Sequence, residues 1–235
     1  MNANNFEERV RGYAGAFHPV VPVTDSDRFL RMDFTEANPD LTDDVLRDTG
    51  RFSAYVASRL AAAGATYGIG GYNEHRTIYK RSHVFDTAAD EPRRLHLGID
   101  VWSPAGTPVY APLEGTVHSF AFNDAYGDYG ATLILQHEVD GLLFHTLYGH
   151  LSLASIEGKK EGEDIAKGSW IASFGEPAEN GQWPPHLHFQ LVIDMGEVRG
   201  DYPGVCRYSE RDRFLDNCPD PDTILGLMNR AESER

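Results

Sequence analysis

A chain of 235 residues has room for one large domain, or one domain with an extension. Its 41% hydrophobic and 24% charged residues are the balance of an ordinary globular protein, which excludes a disordered or fibrous chain. Twenty-one Lys and Arg against 36 Asp and Glu leave a net charge of −15, a field that repels nucleic acid, anionic lipid and other polyanions.

Ten histidines stand beside only two cysteines, and histidine is the commonest metal ligand and proton shuttle. Cys206 and Cys218 are too few for a disulfide framework or a zinc ribbon, so free thiols in a reducing compartment are expected. The first residues, Met1-Asn-Ala-Asn-Asn-Phe-Glu-Glu-Arg9, lack a basic start followed by an apolar run. No apolar stretch approaches 20 residues. The expectation is a cytoplasmic protein with no membrane span, with export by an unassisted route left open.

In chain order, residues 1–65 read as irregular structure followed by helix. Thr42, Asp43 and Asp44 are good N-terminal caps and first-turn acids. Phe52, Val56 and Leu60 recur every four residues as an apolar stripe, and Gly64 closes the helix. Residues 66–94 form a connecting strand segment placed to cover a groove.

From residue 95 the texture is of short strands between Gly and Pro: Ile99–Trp102, Val109–Ala111, Gly115–Phe120, Thr132–His137, Leu142–His150, Ser169–Phe174 and His186–Ile193. Asp140-Gly141 and Asn180-Gly181 are turn signals between them. The fold class expected is mainly β. It consists of a compact antiparallel sheet or barrel-sandwich catalytic core over 95–195, an N-terminal helical extension, and a loop-rich tail over 196–235.

Three segments carry the chemistry. In His96-Leu-Gly-Ile-Asp100, alternation points His96 and Asp100 to one side, but an extended chain would hold them roughly 13 Å apart. A bend is required, and Gly98 is where it costs least. In His186-Leu-His188 the two imidazoles share one strand face about 6.6 Å apart, while Leu187, Phe189 and Leu191 turn to the core. Tyr148-Gly-His150-Leu151 adds a histidine at the end of an apolar strand. Together, His96, Asp100 and His188 make a three-ligand set that leaves zinc an open fourth position. His150 and His186 are then available as general base and oxyanion stabiliser. The constellation reads as a hydrolase.

These residues resemble the lysostaphin-type zinc metallopeptidases, also called the LytM-like peptidoglycan endopeptidases. The family's His-x-x-x-Asp segment is matched by His96-Leu-Gly-Ile-Asp100, followed by Pro104–Pro112 and Gly115-Thr-Val117. Its glycine-led strand is similar to Gly130–His137, its Tyr-x-His-Leu element to Tyr148–Leu151, and its His-x-His to His186-Leu-His188. The resemblance covers roughly residues 94–193. It implies one zinc per chain held by His96, Asp100 and His188, with His150 and His186 as catalytic histidines. It also implies a metalloendopeptidase acting through a zinc-activated water on peptidoglycan-type crosslinks, or on small peptides and muropeptides.

The sequence departs from the family pattern in two places near the histidine pair. Trp183-Pro-Pro185 replaces a small turn before it, and Gln190 stands where an acid is common. Upstream, Asn73 is a candidate to fill the fourth zinc position, and Arg76 or Tyr79 to contact substrate. Two alternatives belong to other classes: a catalytically silent binding or activator protein of the same fold, and a histidine phosphocarrier domain.

Overall fold

The computed structural model describes residues 3–13, 16–85 and 91–232. A helix α1 (Ala3–Arg11) precedes strand β1 (Phe29–Arg31), helices α2 (Asp43–Arg47) and α3 (Thr49–Ala63), and strand β2 (Tyr67–Gly70). Then come β3 (Leu95–His96), β4 (Ile99–Trp102), β5 (Pro108–Tyr110), β6 (Gly115–Asn123), β7 (Gly130–Val139) and β8 (Leu142–Leu151). β9 (Asp164–Ile165), β10 (Trp170–Ser173), β11 (His186–Val192), β12 (Val205–Cys206) and β13 (Ala231–Glu232) complete the strands. The protein is mainly β, as expected.

Nine strands form one sheet in the order β13-β1-β2-β4-β11-β8-β7-β6-β9. Every pairing from β2 to β9 is antiparallel. At the other edge β1 runs parallel to both β2 and β13. The segment read as an N-terminal extension therefore supplies a strand to the main sheet. It also shares the core: Phe6 and Val10 of α1 and Phe29 of β1 pack in the same apolar cluster as Val101, Leu133 and Phe189.

The expected helix is two helices. Thr42 caps α2, its hydroxyl accepting from Val45 N, while the Asp48 carboxylate accepts from Arg51 N and starts α3 afresh. Asp48 has extended backbone angles (φ −104°, ψ 113°), so the chain breaks there. Phe52, Val56 and Leu60 are buried along α3, and Gly64 ends it in the left-handed region at φ 59°.

Strand alternation decides where polar groups go. On β11, Leu187, Phe189 and Leu191 enter the main cluster, while His186, His188 and Gln190 face the opposite side and are also buried. On β4, Ile99 and Val101 enter that cluster, and Asp100 and Trp102 share the histidine side. That side is walled by a second apolar cluster, containing Phe34, Phe52, Tyr79, Phe85 and Trp183, and by a third around Leu95, Leu147 and Cys218. Cys206 and Cys218 are free thiols, both buried.

Candidate metal centre and active-site pocket

The register of the central strands brings the sequence motifs together. His188 on β11 pairs with Asp100 on β4 and with Gly149 on β8, and His186 pairs with Trp102. His96 reaches the same spot because the chain bends between β3 and β4. A Cβ at Gly98 would lie 2.6 Å from the His188 ring and 2.8 Å from Phe189 O, so only glycine lets the two segments approach so closely.

His96 Nε2 lies 3.0 Å from His188 Nδ1, His188 Nδ1 lies 3.1 Å from Asp100 Oδ1, and His96 Nε2 lies 3.3 Å from Asp100 Oδ1. Among the described residues this is the only such group of three or more whose ligand atoms lie within 4.8 Å of one another.

The outward nitrogens fix the tautomers. His96 Nδ1 donates to Gly71 O at 3.0 Å. His188 Nε2 donates to Gln190 Oε1 at 2.9 Å, and Gln190 Nε2 donates to Pro203 O, which orients the amide. Each inner nitrogen is therefore a bare lone pair. Three acceptors face one another with no donor among them, an arrangement that repels itself unless a cation sits at its centre. The separations suit one: ligand atoms about 2.0–2.1 Å from a tetrahedral ion lie roughly 3.3 Å apart. A group of two imidazoles and one carboxylate fits zinc or a similar borderline ion.

Electrostatics keeps His96 and Asp100 unprotonated. Burial pushes the His96 pKa down to about 4, and the Arg76 charge adds to that. Burial opposes ionisation of Asp100, but the Arg76 guanidinium beside it helps to hold the carboxyl well below the usual range.

His150 and His186 stand beside the cluster with ring centres 4.1 Å apart. His186 stacks on Trp102 at 3.9 Å and 16°, donates from Nδ1 to Pro184 O at 2.7 Å, and has Nε2 4.0 Å from Asp100 Oδ1. His150 donates from Nδ1 to Asn180 O at 2.8 Å. Both Nε2 atoms are thus proton acceptors in the resting state. Burial lowers the His186 pKa to about 4 and puts that of His150 well below its ordinary value, which keeps both rings neutral. His150 holds φ 62°, a left-handed conformation that costs of order 1–3 kcal/mol and is found at functional sites.

Asp100, His150, His186 and His188 line a cleft of about 140 Å³. One wall comes from Tyr79, Phe85 and Arg93, and the other from the tail, through Asp201 and Gly204. Trp183 of the unusual Trp-Pro-Pro turn packs against Phe52, Tyr79, Phe85 and His150, so the turn builds the aromatic side of the cleft.

The three upstream candidates part company. Tyr79 lines the cleft. Asn73 is exposed on a turn at φ 57°, outside the cleft, with its backbone N–H donating to His96 O. Arg76 has no exposed surface and does not line the cleft; its Nη1 pairs with Asp100 and its Nε with Glu74. Gln190 and Trp102 escaped the sequence reading as site residues. Each lies two positions after a recognised one, on the same strand face, and alternation was the signal that could have found them.

Five buried histidines (His96, His137, His145, His150 and His186) have pKa values lowered from 6.5. Unfolding raises each to its ordinary value, so the unfolded chain binds more protons below about 6.5 and stability falls as pH drops. For His96, His145 and His186 the loss levels off near pH 4, and Asp100 adds its own loss below 3.8. Each histidine contributes up to about 1.4 kcal/mol per pH unit. Metal-stripped protein should melt at least ~10 °C lower at pH 5 than at pH 7.5, as measured by calorimetry. An unchanged midpoint would mean that these rings are protonated in the fold.

Residues 94–199 match the model described as Peptidase family M23. Among curated relatives, an uncharacterized metalloprotease of Haemophilus influenzae is 36% identical over 138 residues, 56% of this chain and 27% of the relative. The DD-carboxypeptidase/endopeptidase Mpg of Neisseria meningitidis serogroup B is 35% identical over 130 residues, 53% of this chain and 27% of the relative. An L-Ala–D-Glu endopeptidase of Bacillus subtilis is 28% identical over 133 residues, 54% of this chain and 39% of the relative. The chain spans about a quarter of the length of the first two. No described helix is long and apolar enough to cross a membrane.

Proposed function

We propose that this chain, which carries a domain of peptidase family M23 over residues 94–199, is a zinc-dependent hydrolase of peptide bonds acting on peptidoglycan-type crosslinks or the peptides derived from them. The observation that carries this reading is the set of three buried lone-pair donors 3.0–3.3 Å apart, with every outward nitrogen already donating elsewhere. His96, Asp100 and His188 would hold one ion per chain. When bound, such an ion lowers the pKa of water and polarises a carbonyl oxygen.

The chain's own histidines do the proton work. His150 and His186 each present Nε2 as a lone pair, because Nδ1 is committed to a backbone carbonyl. One of them accepts the proton of the attacking water. The imidazolium so formed becomes a donor, first to the developing oxyanion and then to the leaving amine. Asn180 O and Pro184 O hold the rings at the angle this needs.

The substrate class is supported by the relatives, whose names cite DD- and L-Ala–D-Glu bonds. The net charge of −15 favours short soluble peptides or muropeptides over intact anionic wall polymers. Purified full-length protein should carry about one zinc per chain and cleave crosslinked muropeptides, with cleavage lost on chelation and restored by zinc. Metal-loaded, folded protein that hydrolyses neither muropeptides nor short glycyl or D-alanyl peptides would overturn the reading.

A further inference from the structure

The two oxygens of Asp100 have different neighbours. Oδ1 faces His96 Nε2 and His188 Nδ1, at 3.3 and 3.1 Å. Oδ2 faces away and accepts from Arg76 Nη1 at 2.5 Å. Arg76 in turn donates from Nε to Glu74 Oε2 at 2.7 Å, its backbone N–H donates to Arg94 O, and its guanidinium carbon lies 5.5 Å from the Phe34 ring centre. A Cβ at Gly70 would come within 2.5 Å of Arg76 Nη2, so the guanidinium is confined on that side too. Arg76 is wholly buried, and it spans two carboxylates with a planar fork that lysine could not reproduce.

We propose that Arg76 is a positioning residue of the metal centre: by holding Oδ2 it makes Asp100 bind the ion through Oδ1 alone, with Glu74 anchoring Arg76. The inference rests on the metal reading above. Its consequence is functional. A carboxylate with both oxygens free can close on an ion in bidentate fashion, giving four protein donor atoms and the closed shell of a structural site. With Oδ2 taken, three protein donors remain and a position stays open for water or a carbonyl. Arg76 also gives the buried carboxylate a charged partner before any ion arrives, so the ligand is set in advance.

The test uses Co²⁺ alone, titrated into metal-stripped full-length protein, because the intensity of its visible absorption separates four-coordinate from five-coordinate sites. The parent is expected to give the strong four-coordinate band. Arg76→Gln should weaken that band, as Oδ2 swings onto the ion, and loosen Co²⁺ binding about 10–100-fold. Arg76→Lys, which restores a charged donor to Oδ2 without the fork that also reaches Glu74, should recover the parental band in part. Glu74→Gln leaves Arg76 in place without its anchor and serves if Arg76→Gln does not fold; it should shift the spectrum the same way, by less.

A parental spectrum in Arg76→Gln overturns the proposal, whatever happens to affinity, since a charge or stability effect alone would move affinity and not the band. A parental spectrum in Glu74→Gln does the same where Arg76→Gln is insoluble. Failure of the parent itself to bind Co²⁺ would instead sink the metal reading.

Discussion

Asp100→Asn should bind no metal and yet be at least as stable as the metal-stripped parent. In the parent, Asp100 Oδ1, His96 Nε2 and His188 Nδ1 are three acceptors within 3.3 Å of each other. Asparagine keeps the shape but replaces one oxygen by a donor. Its carbonyl can accept from Arg76, and its amide group can donate to the two facing imidazoles, satisfying groups that otherwise only repel. The anionic ligand is gone, so zinc content should fall to background and turnover with it. Zinc-loaded parent should melt highest, because a ligand that binds only the folded state stabilises it by RT ln(1 + [L]/Kd).

Asp100→Ala makes the contrast. It also loses zinc, but it leaves Arg76 Nη1 with only a distant Tyr79 hydroxyl at 3.5 Å. An orphaned buried donor costs about 1–3 kcal/mol, so the alanine variant should melt below both metal-free proteins. Calorimetry and metal analysis on the three proteins check the ordering. Normal zinc in Asp100→Asn, or an asparagine variant less stable than the alanine one, would remove the argument that a cation belongs among these atoms.

What the sequence disclosed here was what local geometry controls. The period-2 pattern of His186–Leu191 already sorted the histidine face from the core face, since alternation on a strand needs no knowledge of the partner strand. The bend at Gly98 followed from distance alone: four extended residues are too long for one site. Pairing across the chain was not legible. The parallel pairing of β1 with β13 joins residues some 200 positions apart, and nothing local marks it. Arg76 looked like a surface contact because it sits among Asn73, Glu74 and His75, a polar run. Its burial is set by β4, Phe34 and Gly70, which meet it only in the folded chain. The cap at Thr42 with Asp43 and Asp44 does start α2, and the second start was available in principle, because Asp48 is itself a cap residue.

His150 and His186, proposed for the proton work, should separate from the proposed ligands by what their replacement leaves intact. His150→Asn and His186→Gln are expected to keep about one zinc per chain and lose about 10²–10⁴ in kcat, the usual worth of a positioned acid–base group. Asparagine is chosen at 150 because the backbone there holds φ 62°, which asparagine accepts better than alanine. Glutamine at 186 fills part of the space against Trp102, so that loss of the stack does not masquerade as loss of chemistry. The two rings lie 4.1 Å apart, so that replacing either disturbs the other's surroundings. The double variant should therefore be barely slower than the worse single one, as happens when groups act as a unit. Rates that instead multiply would assign the rings to independent steps. Zinc loss in either single variant, measured alongside kcat and KM, would move that histidine from the proton work into the ligand set.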